Sequence, residues 1–186
     1  TNSENTITDA SGRQLEIAEN ADELTISSAY AVSVPFLLAL DLTDRVDGIN
    51  LKSKLWTADP NLDEADSVGR GVVDLEKLAE LDSDTLIHRI GDSDTIEAVE
   101  NLGIEVLTIE AENYDQLITT IENMGAFYGA DDKADEVIHM LNDKFDHIED
   151  LVAQIPEEER VTAIVLGSEP GKAATADMMQ TWMLDK

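Results

Sequence analysis

No cysteine occurs among the 186 residues. That excludes disulfide staples, thiolate metal sites and a cysteine nucleophile. Cationic side chains are scarce as well: 12 Lys+Arg stand against 41 Asp+Glu, a formal net charge of −29. A chain so acidic repels phosphate backbones and anionic lipid, so neither nucleic acid nor a membrane surface is an expected partner. The charge reads first as a solvated acidic surface, and a salt-adapted or acid-exposed source fits it too. No apolar run approaches the length of a membrane span. The first six residues are polar and show no signal peptide, so in an exported protein that leader is already removed. Catalytic patterns are missing too: there is no Gly-x-Ser-x-Gly, no phosphate loop and no His-Glu-x-x-His, and Gly69-Arg70-Gly71 falls far short of a dinucleotide fingerprint.

What the chain does have is enough apolar material, 42% of residues, for burial to offset chain entropy. Residues 6–17 alternate like a small hairpin about Ala10-Ser11-Gly12-Arg13. From there strands and helices alternate, which predicts a sheet packed between helices. Strands are expected at 24–28, 45–49, 84–90 and 104–109. Helices are expected after Pro35, after the N-cap Asp74, after Asp92-Ser93-Asp94 with Ile96, Val99 and Leu102 inward, and from Tyr114 to Met124. Residues 50–68 read as one long polar connection. Residues 131–155 carry an unbroken apolar stripe through Ala134, Val137, Ile138, Leu141, Phe145, Ile148, Leu151, Val152 and Ile155, ended by Pro156. A fresh strand is expected at 161–166, then an apolar helix carrying Met178, Met179, Trp182 and Met183, which are expected to be exposed.

With these residues in hand, the chain resembles the substrate-binding proteins of ABC importers, in the class serving ferric siderophores, haem and cobalamin. Ile7-Thr8-Asp9-Ala10-Ser11-Gly12-Arg13 is similar to the family's opening hairpin. Leu37-Leu38-Ala39-Leu40 with Asp44-Arg45-Val46-Asp47-Gly48 is similar to its first helix and second strand. Val68-Gly69, Asp74-Leu75-Glu76, Asp84-Thr85-Leu86-Ile87 and Leu102-Gly103-Ile104-Glu105-Val106 follow in the family's order and spacing. The resemblance implies an α/β fold: a three-layer parallel-sheet lobe over 1–130, a long connector helix over 131–156, and the opening of a second α/β lobe over 157–186.

It also implies a function: an exported, periplasmic or cell-surface receptor, lipid-anchored through a removed N-terminal segment. Such a receptor would hold a ferric siderophore, haem or corrinoid and pass it to permease subunits, with no cofactor of its own. In this family, ligand contacts come from loops at strand C-termini, which here hold Tyr30, Trp56, Arg70 and Arg89. Arginine forks pair with chelate oxygens, and aromatic faces cover the chelate's apolar rim. Each has a plainer role beside it: Tyr30 as a lid on the core, Trp56 as packing, Arg70 as a surface side chain, Arg89 as the partner of Asp92 or Asp94. Glu76 matches the acidic position that docks the permease, and it equally suits the first turn of any helix. His88 reads as a satisfied strand histidine. His139, Asp143 and His147 share a face of the long helix, where solvation explains them better than a metal. The competing readings are an α/β cofactor-binding or enzymatic domain and an acidic scaffold module.

Overall fold

The computed structural model describes residues 5–50, 59–69, 72–166, 171–176 and 178–184. The chain opens with a hairpin, β1 (Thr6–Thr8) against β2 (Gln14–Glu16), whose Ile7 and Leu15 both turn inward. The main sheet is then laid down by alternation. It runs β3 (Ile26–Ser28), α1 (Val34–Ala39), β4 (Val46–Ile49), α2 (Pro60–Glu64), β5 (Asp66–Ser67), α3 (Leu75–Leu81), β6 (Thr85–Arg89), α4 (Ser93–Glu100) and β7 (Glu105–Ile109). All five strands are parallel, in the order β5-β4-β3-β6-β7. Three helices follow: α5 (Tyr114–Phe127), α6 (Asp131–Val152) and α7 (Met179–Leu184).

Parallel strands are covered on both faces, so their side chains divide between two cores. Ile26, Ile49, Ile87, Leu107 and Ile109 join α1, α2, α5, the start of α6 and the hairpin in the larger one. Leu86 and Val106 join Val68, Leu78 of α3 and Ile96 and Val99 of α4 in the smaller. The result is the three-layer lobe that the alternation predicts. Two glycines permit its closest approaches. A Cβ on Gly48 would lie 2.4 Å from both Ser27 Oγ and Val68 Cγ1, and one on Gly125 would lie 2.6 Å from the Ala134 Cβ. Larger residues would hold α3 off β4 and α6 off α5.

The caps explain where helices start. Asp59 Oδ1 accepts from the amides of Asn61 and Leu62 at 3.0 and 3.2 Å. Asp74 Oδ1 accepts from Lys77 N at 3.0 Å, and Asn113 Oδ1 from Gln116 N at 2.9 Å. Each satisfies a donor that the first helical turn leaves unpaired.

Four expectations need correction. Residues 50–68 are not one loop: α2 and β5 lie inside them. Those elements are five and two residues long, too short for any periodicity to show. Leu102 lies beyond α4 and is exposed, because the helix ends at Glu100. Residues 161–166 form no strand; only Leu166 bridges Ala173, while Val161 and Leu166 are 89% and 71% exposed. A strand needs a partner along its length, and among the described residues this segment has one only at its end, where the Ala174 amide donates to the Val165 carbonyl at 2.9 Å. The stripe of α6 is buried only at its start, at Ala134 and Val137, whereas Ile148, Leu151 and Ile155 are exposed.

Met178, Met179 and Trp182 are half-buried rather than exposed. Trp182 stacks on Tyr114 at 4.5 Å between centroids and meets the edge of Phe145 at 4.8 Å. The Met179 amide donates to the Glu112 carbonyl at 2.8 Å. These contacts hold α7 beside the turn that follows β7.

A net charge of −29 on so small a surface repels itself in the folded state. Raising salt from 0.1 to 1 M shortens the screening length from about 10 to about 3 Å. The thermal midpoint should therefore climb steadily across that range, as followed by circular dichroism. A midpoint independent of KCl would show that the acidic surface carries no folding penalty.

Candidate ligand site

In an open parallel sheet the crevice lies outside the strand C-termini, where strand order reverses. Here β3 leads to β4 and β5 on one side, while β6 and β7 lie on the other, so the reversal falls between β3 and β6. Tyr30 stands two residues past β3, and Arg89 is the last residue of β6. The fold therefore brings these two predicted residues to the same crevice, although 58 intervening residues separate them in sequence.

Local bonding holds the Tyr30 turn. Its carbonyl accepts from Ser33 N at 2.9 Å and from Ser28 Oγ at 3.2 Å. The half-buried ring packs on the larger core. Burial, then the charges of Glu112 and Glu110, push the phenol's pKa up, and Arg89 opposes them. Tyr30, Arg89, Glu110 and Glu112 thus share one electrostatic neighbourhood across β3, β6 and β7. The two glutamates escaped the sequence reading, although the strand-terminus rule that selected Tyr30 applies equally to the turn after β7.

Arg89 is 58% exposed at its side chain, and Nη2 lies 3.7 Å from Asp92 Oδ2. A pair that loose and wet contributes little, so the guanidinium fork remains open to another oxygen ligand. Asp92 is engaged more closely by His88, with Nε2 at 3.1 Å from Oδ2. The His88 hydrogen bond is the leading reason that the Asp92 carboxyl is held below the usual carboxylate range. His88 is not fully satisfied, contrary to the sequence reading: its Nδ1 is buried without a partner among the described residues.

Glu76 is exposed in the first turn of α3, two residues after the capping Asp74. Trp56 and Arg70 lie outside the described residues. His139 and Asp143 face each other on α6 at 3.5 Å, and both are largely exposed. No group of three metal-binding side chains occurs among the described residues. A cavity of about 240 Å³ beside β7 is lined by Ala10, Thr108, Glu110, Gln116, Thr120 and Asn123. Several of its polar groups are committed internally: Gln116 Nε2 to Glu110 Oε2 at 2.7 Å, Thr120 Oγ1 to the Glu110 carbonyl at 2.7 Å, and Asn123 Nδ2 to the Thr8 carbonyl at 2.8 Å. That cavity is a joint between hairpin, β7 and α5.

Residues 26–185 match the family model described as periplasmic binding protein. The uncharacterized ABC transporter substrate-binding lipoprotein YvrC of Bacillus subtilis (strain 168) is 26% identical over 165 residues, covering 86% of this chain and 51% of the relative. The chain thus spans about half the length of the curated relative it matches. Among solved structures, the molybdate periplasmic binding protein MolA of Haemophilus influenzae, bound to molybdate, superposes with a TM-score of 0.75 at 16% identity, over 89% of this chain and 59% of that one. The iron uptake ABC transporter substrate-binding protein PiuA of Streptococcus pneumoniae gives 0.68 at 18% identity, over 88% and 57%.

Proposed function

The chain belongs to the periplasmic binding protein family, and from that premise we propose that it is part of the receptor of an ABC importer. The receptor captures an iron–siderophore or a related metal complex, such as haem or a corrinoid, and delivers it to a membrane permease. The observation that carries this reading is the family match across 26–185 on a lobe whose strand-order reversal is flanked by Tyr30 and Arg89. Residues 1–130 are the first lobe, 131–156 the connector and 157–186 the opening of a second lobe. The exposed apolar side chains of Ile148, Leu151, Val161, Ile164 and Leu166 support that division, since isolated helices and strands do not leave such a surface wet without cause.

Tyr30, Trp56, Arg70 and Arg89 form this lobe's half of the ligand site. The arginines pair with the complex's oxygens, and the aromatic faces cover its apolar parts. Glu76, held at the start of α3, docks the permease through a basic pocket. The work is selective binding and delivery, with no reaction and no resident cofactor. The receptor is exported and lipid-anchored at the cell surface or in the periplasm, in line with the lipoprotein relative.

Tryptophan fluorescence of the protein, titrated with ferrioxamine B, haem and cyanocobalamin, tests the reading. Saturable quenching by at least one supports it, and no response to any of them overturns it. Arg70→Ala should weaken binding by about tenfold or more, the scale of one lost charge-assisted bond. Arg89→Ala should cost less, because its side chain is 58% exposed and a solvated ion pair contributes little. Equal or reversed losses would show that Arg70 is not the anchor.

A further inference from the structure

Two polar atoms at the strand-order reversal are buried and have no partner among the described residues, Asn50 Oδ1 and His88 Nδ1. Both residues are 5% exposed. They belong to one row. Ser28 is in register with Ile49 of β4 and Ile87 of β6, and one step further come Asn50, Ala29 and His88. The ladder continues to that step: the Asn50 amide donates to the Ser28 carbonyl at 2.9 Å, and the Ala29 amide to the Ile87 carbonyl at 3.1 Å.

Alternation along β6 puts His88 on the same face as Leu86, the face of the smaller core, and Ala29 packs there too. Ala29 takes the middle place of that row. Asn50 leans across it, since its Nδ2 donates to the Ala29 carbonyl at 2.8 Å. With that amide nitrogen committed, the remaining Oδ1 accepts only.

His88 is constrained in the same sense. Its Nε2 meets the Asp92 carboxylate, which accepts only, so in the neutral ring the proton sits on Nε2 and Nδ1 is a bare acceptor. With the ring neutral, the two unpartnered atoms are thus both acceptors. Left unmet, each costs about 1–3 kcal/mol, so a native fold does not keep both without a partner.

We propose that Asn50 Oδ1 and His88 Nδ1 form a two-acceptor seat, at the strand-order reversal, for one donor group that carries two hydrogens. The donor is either an ordered water or an amine or primary amide of the bound ligand, whose paired hydrogens the seat would read. The ligand source rests on the receptor reading above; the water source does not. Small buried polar sites of this kind hold water with two to four partners. A ligand donor in that position would select complexes bearing such hydrogens over bare oxyanions, because an unmet acceptor penalises the analogue that lacks the donor.

Nitrogen-15 NMR of the histidine rings in the protein tests this, before and after addition of ferrioxamine B, which carries amine and amide hydrogens. His88 should show a protonated Nε2 and an unprotonated Nδ1. An Nδ1 shifted upfield by hydrogen bonding before addition, and unchanged after it, assigns the donor to water. An Nδ1 that shifts upfield only on addition assigns it to the ligand. An Nδ1 with the position of a bare nitrogen in both states, or a proton found on Nδ1, overturns the proposal. In Asn50→Leu the upfield shift should be lost, whereas Asn50→Asp, which keeps an acceptor, should retain it. A shift that survives in Asn50→Leu also overturns the proposal. The wild-type measurement decides the matter should the leucine variant fail to fold.

Discussion

Arg45→Ala should destabilise the fold by about 3–4 kcal/mol, more than a surface arginine could. Among the described residues, no carboxylate pairs with Arg45. It serves instead as a knot between three chain segments. Nε donates to the Leu24 carbonyl at 2.9 Å, Nη1 to the Tyr128 carbonyl at 2.8 Å and Nη2 to the Ala21 carbonyl at 2.8 Å. Its guanidinium also lies 5.5 Å from the centroid of the Tyr128 ring, which is fully buried. Truncation leaves three carbonyls short of a donor and removes a cation from an aromatic face. Lysine cannot substitute, because one ammonium cannot present the planar fork that reaches three carbonyls at once. Urea denaturation of Arg45→Ala and Arg45→Lys measures this; a loss below 1 kcal/mol for either would show that water replaces the fork.

The second large effect belongs to Asp9, at the turn of the opening hairpin. Its side chain is completely buried and pairs with Arg13 at 2.7 Å. It also accepts from the amides of Ser11 and Arg13 at 3.0 and 2.9 Å, and from Thr108 Oγ1 at 2.7 Å. Arg13 in turn reaches Glu100 and the Val106 carbonyl. One carboxylate thus ties the hairpin to the edge of β7. Burial alone would raise its pKa; the hydrogen bonds from Thr108 and Arg13 outweigh burial and hold it below the ordinary carboxylate value.

Asp9→Asn should therefore cost about 2–4 kcal/mol at pH 7, the scale of breaking a buried charge pair. The sign of the pH dependence follows from the lowered pKa. The unfolded chain takes up its proton near pH 3.9, whereas the folded chain resists until lower pH. The contribution is present in full above the unfolded value and disappears as pH falls through the folded one. Stabilities of wild type and Asp9→Asn should run parallel from pH 7 to about pH 5 and converge only below about pH 4. A constant gap down to the acid limit would show that the carboxylate stabilises by shape and not by charge.

Both residues were visible in the sequence, Asp9 and Arg13 as part of a hairpin motif and Arg45 as the start of a strand. Their roles were not, because the partners lie far along the chain. Thr108 is 99 residues from Asp9, and Tyr128 is 83 from Arg45. Locally encoded features fared better. Asp74 capped its helix as the sequence indicates, and the apolar runs at 84–90 and 104–109 became β6 and β7. Tyr30 and Arg89 could be selected because one follows a strand and the other ends one, which is a local property.

Composition and pattern were enough to determine an α/β lobe, its acidic surface, the positions of most elements and the lack of cysteine chemistry. Only the tertiary structure decided the order in which the strands lie. That order places Asn50 and His88 on either side of Ala29 in one row. The reason is physical: helix caps and amphipathic periods are written within a few residues, whereas strand neighbours are chosen by the packing of two cores across the whole chain.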